Sequence, residues 1–129
     1  MKDLSELVRE LDTLERIHAD IAAVTKREDD RRRYDLVELR RQLSAQIARV
    51  GQIAEPLFTR TGDEELAQLY RAKFSKMRSM VAMHQANWPA VLLGERPEEF
   101  RASALPMRDA NRDFLGWMRE MLPAISRSS

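Results

Sequence analysis

Apolar side chains recur at alternating intervals of three and four residues in four separate stretches of this sequence. Such spacing places the side chains along one face of an α-helix, where they can pack against a neighbouring helix. The first of these stripes consists of Leu4, Leu7, Leu11, Leu14, His18 and Ile21. The chain has only 4 Gly and 5 Pro, and almost no run is rich in Val, Ile or Thr, so nothing indicates a β-strand.

The four stripes predict helices at about residues 2–26, 31–57, 63–88 and 97–122. Helices of this length that are joined by short connections pack as antiparallel neighbours. We therefore predict an all-α protein, an up-down-up-down four-helix bundle that forms a single domain over residues 1–129.

The first two connections carry recognisable helix signals. A cluster of charged residues follows the first stripe, and either Asp29 or Asp30 is available as the N-cap of the second helix. Pro56 and the pair Thr61-Gly62 are expected to end that helix. The third helix is expected to begin at Thr61 or Asp63, because Glu64 and Glu65 follow and favour the first turn of a helix.

Trp88-Pro89 is expected to close the third helix, since the residue before a proline is disfavoured in helical geometry. The connection that follows contains the apolar residues 91–93, which we expect to cover one end of the bundle. Pro97 starts the fourth helix. Pro106 is expected to kink that helix, and Pro123 to end it.

Composition narrows the classes of partner and compartment. The chain has no cysteine, which removes disulfides and thiolate metal sites and suits a reducing compartment. Lys and Arg total 22 against 21 Asp and Glu, a balance that does not favour a nucleic-acid partner. The sequence shows neither the apolar core of a signal peptide nor a run of about 20 apolar residues. We expect a cytoplasmic protein without membrane or nucleic-acid partners.

The only two histidines, His18 and His84, both fall on apolar stripes. Counting along antiparallel helices places them within about two turns of each other at the same end of the bundle, so they could share one polar pocket. Each is either a functional group, such as a metal ligand or phosphate acceptor, or a core histidine with a satisfied ring nitrogen. Two imidazoles are too few ligands for zinc or a di-iron pair. No metalloprotease, phosphate-loop or triad motif is present, so we expect no catalytic residue, metal or cofactor.

Two further features concern helix surfaces. Met80 and Met83 lie off the third stripe and are candidates for an exposed patch that binds a protein partner or a second copy of the chain. Gly51 lies inside the second helix, where it either permits close approach of a neighbouring helix or is merely tolerated.

Three segments resemble hemerythrin-like domains of bacterial type: RIHADI in the first helix, IARVGQIAEPLF in the second, and WMREMLPAI in the fourth. The resemblance implies that His18 matches a metal ligand of the first helix. Leu57-Phe58 matches the Leu-Tyr that follows the ligands of the second helix, which puts Arg49 in place of a ligand histidine and Ile53 in place of a bridging carboxylate. The resemblance therefore implies a relative without its metal, with a polar network of Arg49, Asn111 and His18.

These observations lead to one functional hypothesis and two alternatives. The first is a non-catalytic binding or regulatory module that acts through the end of the bundle formed by His84, Trp88 and residues 91–93. The second is a metal- or oxygen-binding hemerythrin-like protein. The third is a bundle that binds a small ligand in a pocket between the third and fourth helices.

Overall fold

The structure, a computed structural model, describes residues 2–89, 92–93 and 95–127. It contains four helices, α1 (Lys2–Thr25), α2 (Arg32–Arg60), α3 (Glu64–Asn87) and α4 (Pro97–Arg127), and no strand among the described residues. Each helix packs against its neighbours in the sequence, and α4 also packs against α1. The predicted all-α, up-down-up-down four-helix bundle is confirmed.

The predicted stripes form the core. Leu7, Leu11 and Leu14 of α1 are at most 1% exposed, and Val50 of α2 and Met77 of α3 are fully buried. These side chains belong to one core cluster, to which all four helices contribute buried apolar residues. None of the four helices, within the described part of the chain, has the length and apolar composition that crossing a membrane requires.

Two expected helix ends are wrong. Pro56 and Pro123 lie inside α2 and α4, which continue to Arg60 and Arg127. In α2 the two residues directly beyond the proline, Leu57 and Phe58, are core residues, and Phe58 stacks on Tyr70 with ring centroids 4.5 Å apart. Burial of such a side chain contributes roughly 1.5–3 kcal/mol, comparable with the roughly 3 kcal/mol that an interior proline costs.

The turn between α2 and α3 is formed by Gly62, whose φ of 74° lies in the left-handed region that favours glycine. Asp63 is the N-cap of α3 and accepts a hydrogen bond of 3.1 Å from the backbone N–H of Leu66. The predicted N-cap of α2 is wrong, because Arg31 occupies that position. Asp29 instead accepts a hydrogen bond of 3.0 Å from the Arg31 backbone N–H, within the turn that precedes the helix.

The connection between α3 and α4 packs on its own bundle. Trp88 is the C-cap of α3 and lies edge-on to Phe100 of α4, with ring centroids 5.4 Å apart. Leu93 is 1% exposed, and Leu92 packs partly buried against the core. Val91, which was expected to contribute to the same cover, lies outside the described residues. The described apolar residues of this connection therefore cover the end of the bundle themselves.

Candidate functional site

One cavity of about 30 Å³ lies between the helices at the end where α3 stops. His18 of α1 and His84 of α3 both line it, as the count of helical turns predicted. Its apolar walls come from Ile21, Leu43 and Phe100, among others. We call this space the imidazole cavity. Its volume is sufficient for one or two water molecules, since one water needs about 10–15 Å³ measured in this way.

The imidazole of His18 has no hydrogen-bond partner among the described residues. The residue is 8% exposed, and both ring nitrogens, Nδ1 and Nε2, are buried and unpartnered. Burial and, as a smaller cause, the positive charge of Arg108 together lower the pKa of His18 to about 4. His18 is therefore neutral at pH 7 and keeps one N–H donor and one nitrogen acceptor without a protein partner.

The imidazole of His84 is anchored on one side only. Its Nδ1 lies 3.2 Å from the Ser103 hydroxyl oxygen, and its ring is tilted against Phe100 with centroids 5.0 Å apart. The other nitrogen, Nε2, is buried and has no partner in the part of the chain that the structure describes. Burial lowers the pKa of His84 to about 4, with a further contribution from the charge of Arg40. The free nitrogen belongs to a neutral ring whose orientation is fixed by Ser103 and Phe100.

Arg40 of α2 also lines the cavity and holds the end of α3. Its guanidinium donates hydrogen bonds of 2.6 Å to the carbonyl oxygen of Trp88 and 2.8 Å to that of Gln85. Both carbonyls belong to the last turn of α3, where no further helical N–H groups are available. Burial lowers the pKa of Arg40. Sequence reasoning missed this residue, although the early stop at Trp88-Pro89 signals that carbonyls there need donors.

The charges around the imidazole cavity are of one sign. Arg101 and Arg108 of α4 line it together with Arg40, and both are exposed to solvent. Neither has an ion-pair partner within the described part of the chain. No aspartate or glutamate is among the described residues that line the cavity. Three arginines and two neutral imidazoles are therefore among the residues that line the cavity.

Asn111 and Arg49, the other two members of the expected polar network, lie in different places. Asn111 of α4 is 5% exposed, its Oδ1 is buried without a partner, and it lines a groove that His18 also borders. Arg49 lies on the outer face of α2, where its guanidinium is 3.4 Å from Glu6 and 3.6 Å from Glu10 of α1. The structure brings Asn111 near His18, but the expected network with Arg49 is not formed.

The residues at this level do not fit the di-iron centre that the hemerythrin resemblance implies. Such a centre needs several carboxylates and imidazoles facing one point, whereas α2 presents Leu43 and Ile47 to the core. Three guanidinium groups around the cavity would also repel a metal cation. Among residues 2–89, 92–93 and 95–127 no three His, Asp or Glu side chains are grouped as a metal site requires.

Met80 and Met83 of α3 do not form the exposed patch that was expected, because only one of them is exposed. Met83 is 59% exposed, whereas Met80 packs partly buried against the core. The other large exposed apolar residues are spread over all four helices, and scattered residues of this kind are ordinary on a protein surface.

No family model, no curated protein and no solved structure matches this chain significantly. The resemblance to hemerythrin-like domains therefore stays a prediction, supported by the quoted segments alone.

Proposed function

We propose that this chain is a non-catalytic binding module that holds a small polar ligand in the imidazole cavity. The observation that carries the proposal is the pair of buried imidazoles, His18 and His84, whose unpartnered nitrogens occur at one cavity. Buried polar groups in proteins have hydrogen-bond partners in roughly nine cases in ten. Three ring nitrogens without a protein partner therefore favour a site that is completed by water or by a ligand.

The surroundings of the two rings favour binding over catalysis. An imidazole that works as a general base is commonly oriented by a carboxylate that also stabilises its protonated form. Around His18 and His84 the neighbouring charges are guanidinium groups, which oppose protonation. Each ring is suited to donating or accepting a hydrogen bond while staying neutral.

Ligand binding could also have a regulatory effect, because the cavity lies next to the end of α3 and binding there stabilises the folded chain. Arg40 lines the cavity and holds the carbonyls of Gln85 and Trp88 at the same time. A ligand that binds the folded chain alone stabilises it by mass action, by about 2.7 kcal/mol at 100 times its dissociation constant. The occupied module is thus more resistant to unfolding than the empty one.

A thermal-shift screen against small polar metabolites tests the proposal. We expect at least one compound to stabilise the protein, and the substitutions His18→Leu and His84→Leu to abolish that shift. Met77→Leu is the matched control, because Met77 is fully buried in α3 without lining the cavity and the exchange conserves side-chain volume. The proposal is contradicted if no compound stabilises the protein, or if both histidine variants keep the shift.

The competing function is iron and oxygen binding by a hemerythrin-like centre, and elemental analysis of the purified protein separates the two. A stoichiometric pair of iron atoms would overturn the proposed binding module. Iron far below one atom per chain, after purification without chelators and from iron-supplemented cells, is the result we expect.

A further inference from the structure

We infer that the imidazole cavity binds a small carboxylate anion of about the size of formate or acetate, an inference that rests on the proposed binding function. The charge around the cavity is the first observation that points to an anion. Arg40, Arg101 and Arg108 line it, and none of the described lining residues is acidic. Because Arg101 and Arg108 have no ion pair within the described chain, their charges are available to a ligand.

The unpartnered polar atoms of the cavity match the needs of a carboxylate. The Gln85 side-chain Nε2 is buried without a partner, and an amide nitrogen only donates hydrogen bonds. Where the Ser103 hydroxyl donates to His84 Nδ1, the proton of that ring is on Nε2, which then donates as well. His18 supplies one further N–H. A carboxylate, which only accepts, can pair with donors of this kind, whereas a cation pairs with none of them.

The size and walls of the cavity select a short ligand. A volume of about 30 Å³ corresponds to one or two water molecules, which excludes a long or branched acid. The walls formed by Ile21, Leu43 and Phe100 are apolar and suit the hydrogen of formate or the methyl group of acetate. Phosphate has four oxygens around its centre and no apolar side to place against these walls.

The same charges already act on both rings. Burial is the larger cause of the lowered pKa of each ring, and the charge of Arg108 at His18 and of Arg40 at His84 adds to it. A bound anion offsets part of the effect of these charges and favours the protonated rings, so the pKa of each rises from about 4 on binding. Affinity should therefore increase as the pH falls from 7 towards 5, with uptake of protons.

Titration calorimetry and thermal shift of the full chain test this inference, with sodium formate, sodium acetate, acetamide and sodium phosphate as probes at constant ionic strength. Acetamide is the neutral counterpart of acetate. We expect formate or acetate to bind, acetamide and phosphate to bind at least about tenfold more weakly, and affinity to rise on acidification.

Variants distinguish the cavity from general salt effects. The double substitution Arg101→Gln/Arg108→Gln should weaken acetate or formate binding about tenfold. Arg112→Gln removes one charge from α4 away from the cavity and is the control, because Arg112 is exposed and does not line the imidazole cavity. It should change the affinity less than about twofold.

Each other outcome overturns a defined part of the argument. If acetamide or a neutral metabolite binds and formate and acetate do not, the ligand is not a carboxylate, but the proposed binding function is still supported. Binding of phosphate alone would contradict the inference that the ligand is as small as formate or acetate. Equal losses in the double variant and in Arg112→Gln would overturn the location. If no probe and no compound of the metabolite screen binds, both the inference and the proposed function are overturned.

Discussion

Gly51 of α2 faces the ring of Phe74 in α3 so closely that a Cβ added at Gly51 would lie 2.8 Å from Phe74 Cζ. The ring cannot withdraw towards Tyr70 or Phe114, because it lies against both with centroid distances of 5.7 and 5.8 Å. Of the two roles expected for Gly51, close approach of a neighbouring helix is the one the structure supports.

Gly51→Ala should therefore destabilise the protein. The gain in helix propensity is about 1 kcal/mol, and overpacking of the ring costs about 1–3 kcal/mol, so we expect a net loss of about 1 kcal/mol in urea denaturation. Gly116→Ala in α4 is the control, because a Cβ there meets no atom within 4 Å. That variant should gain about 0.5–1 kcal/mol. Stabilisation by both substitutions would show that the Phe74 ring moves aside freely.

The two buried imidazoles should make the free energy of unfolding fall on acidification, beginning at a pH above the range in which carboxylates titrate. The pKa of His18 and His84 is lowered from 6.5 to about 4 by folding, so the unfolded chain binds more protons between these values. The contribution of the two neutral rings to the free energy of unfolding is therefore fully present above pH 6.5 and is lost as the pH falls towards 4. The loss is on the order of 3 kcal/mol for each ring.

Urea denaturation between pH 7 and pH 4.5 measures this dependence. The double variant His18→Leu/His84→Leu should lose most of the slope in this range, because it has no imidazole to protonate. An unchanged slope in the double variant would assign the acid sensitivity to other groups.

Arg40 should contribute more to stability than its neighbour Arg41. Arg40→Leu leaves the carbonyls of Gln85 and Trp88 without their donor, and loss of charged hydrogen bonds of this kind costs about 2 kcal/mol. Arg41 is 78% exposed and, among the described residues, forms an ion pair only with Glu38 on the same helix, so Arg41→Leu should cost less than about 0.5 kcal/mol. Denaturation of both variants at pH 7 gives the comparison, and equal costs would contradict the role assigned to Arg40.

Arg49 should contribute little to the free energy of unfolding, as is usual for an exposed residue with surface ion pairs. Arg49→Gln removes the ion pairs with Glu6 and Glu10, and we expect a loss below about 1 kcal/mol that shrinks further in 0.5 M salt. Ligand binding in the imidazole cavity should be unaffected. A loss of several kcal/mol that salt does not change would instead indicate a buried role.

The fold was predictable because its determinant is repeated along each helix. A stripe such as Leu7, Leu11 and Leu14 identifies the inward face without knowledge of the partner helix. Helix ends were less predictable where tertiary packing outweighs a local signal. Beyond Pro123, for example, Ile125 is 1% exposed, and its burial favours continuing α4 past the proline.

The candidate site was predictable in part. The shared cavity of His18 and His84 followed from counting helical turns, a quantity that the sequence contains. Arg40 and Ser103 were missed because their roles depend on where neighbouring helices place a carbonyl or a ring nitrogen. Arg49 was misplaced because its register came from the motif at Leu57-Phe58. The apolar stripe of α2 points Val50 into the core. Because successive residues of a helix are rotated by about 100°, Arg49 then points away from the core.

The order of the helices around the bundle also bears on how quickly the chain folds. Three of the four packed helix pairs join consecutive helices, so their contacts form after closure of a short connection. Only the pair α1 and α4, where Arg119 contacts Asp12 and Glu15, requires the two ends of the chain to meet. Helical bundles dominated by such local contacts refold in about microseconds to milliseconds.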